Sequence, residues 1–554
     1  MSAAPVQPVT PLARGLGRGA GPARLAGAGE LTRLALRRDR IMLPVWIYAL
    51  VGSVASTLVS IRHLYPDDAS RDRLAQSING NPSLRALYGP VHDAHSIGAL
   101  TAWRILPFGG LMIGLLCVLL ITRHTRAEEE SGRLELVGAG AVGRAAPLAA
   151  ALGTALTACV TVALVVPLLM IAFGEGAAGS FAFGLAYAGV GLVFAGAAAL
   201  AAQVTGTARA ANGIGGALLG LAYLLRATGD ASGSSGPEWL VWLSPLGWAE
   251  RVRPYGDNAW WLLALMLAAF LVQVAGAYLL AGRRDLGSGL LPQRPGPPAG
   301  APSLRSAYAL GLRLQRGSLY GWTAAFLASG LVFGGISKGI RQLLDGSSST
   351  QQLLERMGGT QGAVDSYLST MVSTFGMVAA VYAVQTVLRL RGEETGGRAE
   401  PVLATGVARL TWAWSHLVYP LLGSALLLLA AGLGLGLGTG AVLGDAGGWT
   451  WRLLGGALVQ LPAVWVFAGV AVALFGLLPR WTAAAWGVLG ALLFIAYLGP
   501  LLSAGQWFLD LTPFTHVPRL PGGTVTLQPL LWLTLVTVVL GGAGLAGLRR
   551  RDLG

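Results

Sequence analysis

Charged residues are scarce in this chain of 554 amino acids. Only 12% of the residues are Asp, Glu, Lys or Arg, whereas 54% are hydrophobic, and the mean hydropathy is +0.61. A soluble domain carries about a quarter charged residues, so this composition argues against a soluble architecture. The 81 glycines instead fit apolar helices in lipid, where small residues let neighbouring backbones approach closely.

Cysteine and lysine are also scarce, and each scarcity excludes something. Cys117 and Cys159 are the only cysteines and both fall in apolar segments, which excludes a disulfide framework. Lys338 is the only lysine, and its surroundings do not fit the Gly-x-x-x-x-Gly-Lys-Ser/Thr phosphate loop. We therefore expect ATP hydrolysis on another chain, and no cofactor, metal ion or catalytic group on this one.

Twelve apolar segments approach the length of about 20 residues that a membrane span requires. The sequence therefore predicts an all-α polytopic membrane protein with about 12 transmembrane helices, in two homologous halves of six spans. The predicted spans are residues 41–61, 98–122, 147–173, 181–205, 213–228 and 258–281 in the first half, and 317–337, 370–388, 413–436, 453–478, 483–502 and 526–548 in the second.

The distribution of charge predicts the orientation in the membrane. With the N-terminus in the cytoplasm, the cytoplasmic segments hold 26 arginines, against 11 lysines and arginines in the outer segments. This asymmetry follows the positive-inside rule. We therefore expect a multi-pass protein of the cytoplasmic (inner) membrane with both termini inside. The high pI then needs no nucleic-acid partner to explain it.

Composition also divides the chain into regions. Residues 1–40 are predicted to form a cytoplasmic tail and an amphipathic elbow, and 41–287 the first six-span half. Residues 288–316 form a Pro/Gly-rich cytoplasmic linker and a second elbow, and 317–554 the second half. The elbows, 30–40 and 304–316, are basic and amphipathic, as is typical of helices that lie in the membrane interface.

An internal repeat supports the division into halves. The segment RAEEESGRLELVGAGAVGR, residues 126–144, aligns without a gap with RGEETGGRAEPVLATGVAR, residues 391–409. Ten of the aligned positions are identical. In addition, RRDLG follows the last span of each half, at 283–287 and 550–554. Matches in the same order along both halves indicate duplication.

The repeated acidic and basic segment is the informative motif. Glu129 and Arg133, like Glu394 and Arg398, have the i,i+4 spacing of a helical ion pair, which contributes only a few tenths of a kcal/mol. A solvated helix face is the simplest explanation. The alternative is a cytoplasmic docking helix that receives force from a partner, and a symmetric partner would explain the two copies.

Both segments resemble the loop after the second span of ABC exporter permeases, which reads E-x-E-x-G-x-x-E, then small residues and Val-x-Arg. More narrowly, residues 243–261 (LSPLGWAERVRPYGDNAWW) resemble actinobacterial permeases of the tetronasin-type polyketide-antibiotic exporter family. The resemblance implies two copies of a cytoplasmic ATPase that carry ATP and Mg, and a hydrophobic drug as substrate. The implied ATPase-docking residues are Glu128, Glu129, Gly132, Arg133, Glu135, Arg144, Glu393, Glu394, Gly397, Arg398, Glu400 and Arg409.

The second span of each half supplies candidates for the substrate cavity, namely Phe108, Met112, Phe375 and Met377. Another feature, the glycine-rich run GLGLGLGTG at 432–440, ends an apolar span. It is therefore predicted to pack against other helices closely and not to bind phosphate.

Two other classes of protein stay open. A proton-coupled secondary drug transporter commonly needs ionisable groups within its spans, and no carboxylate falls inside the spans as drawn. A membrane-embedded transferase would need paired carboxylates at the membrane surface. Asp67 and Asp68 are the only adjacent aspartates, and such a pair in a polar loop is usually solvated.

Overall fold

The computed structural model describes residues 24–232, 237–285, 287–291, 298–337, 359–498 and 505–552. Throughout these ranges the regular secondary structure is helical. The chain divides into two compact units, Met1–Gly296 and Pro297–Gly554, and the division falls within the predicted linker. The protein is thus an all-α polytopic membrane protein.

Unit 1 begins with an amphipathic helix, Ala28–Arg38, at the position of the first predicted elbow. Its spans are arranged around two long central helices, Ile97–His124 and Ala177–Val204, which form the most buried part of the apolar core. In the described part of unit 1, the α-helices of more than four residues are Ala28–Arg38, Met42–Leu64, Asp68–Gly80, Pro82–Tyr88, Ile97–His124, Arg126–Glu130, Arg133–Gly138, Ala146–Ala172, Ala177–Val204, Ala208–Ser232, Pro245–Arg251 and Trp260–Ala281, and Glu238–Leu243 is a 3-10 helix.

Unit 2 has its own apolar core, which includes Phe326, Phe375 and Phe467. A π turn, Tyr419–Gly423, joins two helices into one long apolar element. The α-helices of more than four residues that the structure describes in unit 2 are Ala307–Gly335, Gly359–Thr395, Ala399–Ala404, Arg409–Val418, Ser424–Leu443, Ala446–Val459, Leu461–Leu477, Ala484–Leu498 and Leu527–Arg550.

Ten helices in the described ranges are long and apolar enough to cross a membrane, where the sequence predicts about twelve spans. At the seventh predicted span the structure has Ala307–Gly335, which begins with a basic stretch containing Arg313 and Arg316. The eleventh corresponds to Ala484–Leu498, which borders residues outside the described ranges. The second predicted elbow is not a separate segment, because residues 307–316 are the first turns of this same Ala307–Gly335 helix.

The fifth predicted span, 213–228, is too short. The helix runs from Ala208 to Ser232 and includes Asp230 in its last turn. The sequence interpretation treated the charged residues as the edge of the span. In the structure Asp230 lies 3.5 Å from Arg226, and this pairing lets both charges stay inside the helix. The helix at the fifth predicted span therefore carries a buried carboxylate, Asp230, in its last turn, beyond the bounds that the sequence predicts.

The glycine-rich run confirms the prediction of close helix packing. Gly434 and Gly438 face Gly330 and Gly334 of Ala307–Gly335, and a Cβ added at any of the four would lie within 2.4–2.7 Å of a backbone atom of the other helix. The two glycines on each helix are four residues apart, which places them on one face. Backbone thus packs directly on backbone at this contact, as in other small-residue membrane interfaces.

Candidate functional site

The repeated segment follows the second long helix of each unit and turns sharply at a glycine. Gly132 and Gly397 occupy equivalent positions and have φ angles of +71° and +66°, a left-handed conformation that glycine adopts without a Cβ penalty. A short helix follows each turn, Arg133–Gly138 in unit 1 and Ala399–Ala404 in unit 2. The left-handed backbone conformation therefore explains why both copies of the segment have glycine at this position.

The ion pairs in this segment differ from those that the spacing predicts. Arg133 pairs with Glu128 at 3.7 Å, and Arg398 pairs with Glu393 at 2.7 Å. The predicted i,i+4 pairs are wrong because the glycine turn interrupts the helix between the two members. Glu129 and Glu394 are thereby directed away from these arginines.

Glu129 forms a buried cluster with two other arginines of unit 1. Its carboxylate accepts from Arg126 Nη1 at 2.8 Å and from Arg284 Nη2 at 2.5 Å. Only 5% of the Glu129 side chain is exposed, and the Arg126 side chain is 1% exposed. Arg284 belongs to the RRDLG sequence after the last span of the unit. We call the set Arg126, Glu129 and Arg284 the clamp of unit 1.

Unit 2 contains the same cluster at the equivalent positions. Glu394 accepts from Arg391 Nη1 at 2.9 Å and from both terminal nitrogens of Arg551 at 2.8 and 2.9 Å. The Glu394 side chain is 2% exposed. Arg551 is the second arginine of the other RRDLG copy, as Arg284 is of the first. Arg391, Glu394 and Arg551 are the clamp of unit 2.

The distal end of each segment attaches to the same place. Arg144 donates to the main-chain oxygen of Arg284 at 2.5 Å, and Arg409 donates to that of Arg551 at 2.7 Å. The two repeated motifs of each unit are therefore in contact with one another.

Arg284 and Arg551 are functional candidates that sequence reasoning missed. The RRDLG copies were recognised only as markers of duplication, although their arginines were the unassigned counter-charges. Conversely, the sequence predicts a docking role for Glu129, Glu393 and Glu394, whereas the structure buries these three side chains inside their own units. The docking candidates that stay exposed include Arg133 and Glu135 in unit 1, and Arg398, Glu400 and Arg409 in unit 2.

The four candidates for the substrate cavity are placed unequally. Phe108 and Met112 lie one turn apart on Ile97–His124 and are 38% and 43% exposed. Phe375, in contrast, is only 7% exposed and packs against Phe326, with ring centroids 5.4 Å apart. Met377 is partly buried. Only Phe108 and Met112 therefore present large apolar surfaces in this conformation.

The adjacent aspartates have structural partners of their own. Asp67 caps the helix Asp68–Gly80 by accepting from Ser70 N at 2.7 Å. Asp68 pairs with Arg71 at 3.2 Å and is largely exposed. A helix cap and a surface ion pair thus account for both carboxylates. The adjacent aspartates therefore give no support to a membrane-embedded transferase.

Together, the apolar helices and the duplicated clamp define a polytopic helical membrane protein of the kind that transport systems use. A profile of the family described as "Multidrug efflux system permease Rv1217c, C-terminal domain" matches residues 30–280 and 304–549, which is most of both units. The chain belongs to this multidrug efflux permease family. It is 42% identical over 537 residues to the "Multidrug efflux system permease protein Rv1217c" of Mycobacterium tuberculosis (strain ATCC 25618 / H37Rv), covering 97% of this chain and 96% of that protein.

Proposed function

We propose that this chain is the permease subunit of an ABC exporter in the cytoplasmic membrane. It moves hydrophobic drugs, polyketide antibiotics of the tetronasin type among them, out of the cell. Two copies of a separate cytoplasmic ATPase bind ATP and Mg and supply the energy. Membership of the multidrug efflux permease family and the resemblance of residues 126–144 and 391–409 to coupling segments support this proposal.

The main observation in support of this proposal is that the repeated segment has the same local structure in both units. Each unit presents an exposed short helix behind a left-handed glycine, and each anchors it to its last helix by a clamp. In unit 1 this helix exposes Glu135 and also Leu136, which is 80% exposed. A pair of identical ATPases would meet one such exposed helix on each unit.

The test is charge reversal on the exposed helices. Glu135→Lys and Glu400→Lys change solvent-exposed side chains, so we expect thermal stability to change little. Like charges opposed at a docking surface cost several kcal/mol, so co-purification of the ATPase and drug export should both fall sharply. Retention of the ATPase and of export by both variants would overturn the docking assignment.

Arg73→Glu is the matched control for this experiment. Arg73 is exposed on the helix Asp68–Gly80, in a segment predicted to lie outside the cell. Its charge reversal should leave ATPase binding unchanged.

The purified permease without its ATPase should hydrolyse no ATP, and hydrolysis should appear when the ATPase is added. ATPase activity of the purified permease alone would contradict the division of labour between the chains.

A second candidate function is proton-coupled drug transport. Asp230 favours it, because this buried carboxylate lies in the last turn of a helix that is long and apolar enough to cross a membrane. The two candidates differ in their source of energy. Reconstituted with its ATPase, an ABC permease should export in the absence of a proton gradient. A proton-coupled carrier should transport without the ATPase and stop when an ionophore collapses the gradient.

A further inference from the structure

Unit 1 contains a second polar site at the far end of the helix Ala208–Ser232. The first turn of this helix meets the repeated segment, where Glu130 accepts from Ala208 N at 2.9 Å. Asp230 lies in the last turn, and a helix of 25 residues spans about 37 Å. The second site therefore lies at the membrane surface opposite to the clamp, on the side predicted to face outward.

The site is built around a buried arginine and two carboxylates. Arg226 is fully buried, and its Nη1 lies 3.5 Å from Asp230 Oδ2 and 3.4 Å from Glu250 Oε1. The Asp230 side chain is 5% exposed and that of Glu250 11%. Gly89 adopts a φ of +78°, and a Cβ there would lie 3.1 Å from Glu250 Oε2, so glycine lets the loop approach this carboxylate.

The hydrogen-bonding capacity of this cluster is incompletely used. Asp230 Oδ2, Glu250 Oε1 and Arg226 Nη1 are buried and make no hydrogen bond of normal geometry to other protein groups, although the charges are close, and the two carboxyls can share a proton with one another. Buried polar groups are nearly always hydrogen-bonded, so each exception requires a cause. Two of the three atoms are carboxylate oxygens, so a ligand that brings donors could take the place of the proton that the two carboxyls share.

Asp230 and Glu250 line a cavity of about 420 Å³, which is large enough for part of a drug-sized molecule. Trp103 and Leu106 supply apolar wall, and the Trp103 indole N–H donates to Gly89 O at 2.9 Å, which fixes the ring. The site therefore combines an apolar wall with buried acceptors.

The other charges that line the cavity already have partners. Arg251 pairs with Glu238 at 2.9 Å, and Arg253 pairs with Asp257 at 3.3 Å. Arg85 donates to main-chain oxygens, including that of Asp230 at 3.0 Å. Asp93 accepts from main-chain nitrogens of its own loop. The two buried carboxylates share the single cation Arg226, so the unbalanced charge is negative when both are ionised.

We propose that this cavity binds the protonated amine of an amphipathic small molecule, with Asp230 and Glu250 accepting its hydrogen bonds and the wall at Trp103 and Leu106 contacting its apolar body. A primary ammonium brings up to three donors and a positive charge, which matches the unused acceptors. The proposal does not depend on an ATPase partner, because binding to the purified permease tests it directly.

The affinity should depend on pH in a stated direction. Burial raises the pKa of Glu250 to about 8, against the opposing effect of Arg226, so at neutral pH this carboxyl is mostly protonated. An incoming ammonium must displace that proton, and its affinity should rise from pH 6 to pH 8 and then level off. The charged and titratable groups around Glu250 include Tyr223, Arg226 and Asp230 on Ala208–Ser232, Arg251 on its own helix, Glu238 on the preceding 3-10 helix, Arg85 on Pro82–Tyr88, and His92 and Asp93 in the loop that follows it.

The experiment uses the full-length chain in lipid nanodiscs and the fluorescent primary amine monodansylcadaverine. Its N-acetylated form has the same aromatic body without the charge and serves as the control ligand. We expect saturable binding of the amine, and a loss of affinity of about tenfold or more in Asp230→Asn and in Glu250→Gln. Glu250→Gln replaces a mostly neutral acid by a neutral amide, so this variant should fold. It therefore tests the proposal even if Asp230→Asn does not fold. It should also abolish the rise with pH.

Asp72→Asn is the matched control variant, because Asp72 is half exposed on the helix Asp68–Gly80 and does not line the cavity. Its affinity for the amine should stay within about twofold of the wild type. Equal binding of the amine and its acetylated form would show partition into lipid or apolar contact alone, and would overturn the proposal. Wild-type affinity and pH dependence in Glu250→Gln would overturn it as well.

Discussion

Glu129 and Glu394 are buried carboxylates. The charge of each is balanced by one arginine three residues earlier and by a second arginine after the last span of the same unit. A buried ion pair gains little over an apolar replacement of both partners, because desolvation offsets much of the attraction. Removal of one partner alone is costly, since the other charge stays buried. The clamp is therefore better understood as a device that fixes geometry than as a large net source of stability.

The first prediction follows from this asymmetry. Arg284→Met should destabilise the protein by about 3–5 kcal/mol, because Glu129 is left with Arg126 alone. Glu129→Gln combined with Arg284→Met should cost less than the sum of the single variants, with a coupling of about 1–3 kcal/mol. Thermal and denaturant unfolding in detergent, followed by tryptophan fluorescence, measures both quantities.

The exposed Arg133 provides the control for the clamp. Its side chain is 61% exposed, so Arg133→Met should change stability by less than about 0.5 kcal/mol. Arg551→Met should behave like Arg284→Met if the clamps of the two units are equivalent. Strict additivity of the Glu129 and Arg284 variants would show that the two side chains do not interact.

At the scale of elements, the local sequence pattern predicts where the helices lie but not which side chains pair with one another. The apolar segments gave the positions of the helices, and the glycine-rich run gave the close packing of Ser424–Leu443. Neither spacing nor composition could identify Arg284 as the partner of Glu129, because 155 residues separate them. The left-handed turn at Gly132 was equally hidden. An unbroken helix satisfies the same sequence spacing, and only the tertiary contact decides between the two.

The second prediction concerns the packing of Ala307–Gly335 on Ser424–Leu443. A side chain at Gly434 would collide with the main chain of the other helix, whose Leu327 oxygen would lie 2.4 Å from the new Cβ. Gly434→Val should therefore separate the helices and strongly reduce the yield of folded protein. Size-exclusion profiles and thermal midpoints of the purified variants measure this effect.

Gly321 is a control on the same helix pair. Gly321 lies in Ala307–Gly335, the partner helix of the one that contains Gly434, and nothing lies within 4 Å of a Cβ added at Gly321. Gly321→Val should therefore be recovered at nearly wild-type yield, at the small cost of a β-branched residue in a helix. If Gly434→Val folds as well as Gly321→Val, the direct packing of the two backbones is wrong.

At the scale of the whole molecule, the contacts within each unit constrain the topology. In unit 1, Arg38 precedes the first span and contacts Glu128, which follows the second span, at 2.6 Å. Arg284 follows the last span and contacts the neighbouring Glu129. In unit 2, Arg409 and Arg551 meet in the same way. Within each unit, the span ends that meet therefore lie on the same side of the membrane, which requires an even number of crossings between them.

The third prediction tests which side this is. The excess of arginine places the repeated segments in the cytoplasm, so an impermeant maleimide added to intact cells should not label Leu136→Cys or Glu400→Cys. It should label Arg73→Cys, which is exposed on the predicted outer side. Both native cysteines, Cys117 and Cys159, are buried, so the unmodified chain should give no signal. After permeabilisation all three variants should be labelled. Labelling of Leu136→Cys in intact cells would show that the orientation is the reverse of the predicted one, with the segment out of reach of any cytoplasmic ATPase. Labelling of Leu136→Cys and Glu400→Cys from opposite sides would contradict the even number of spans in one unit.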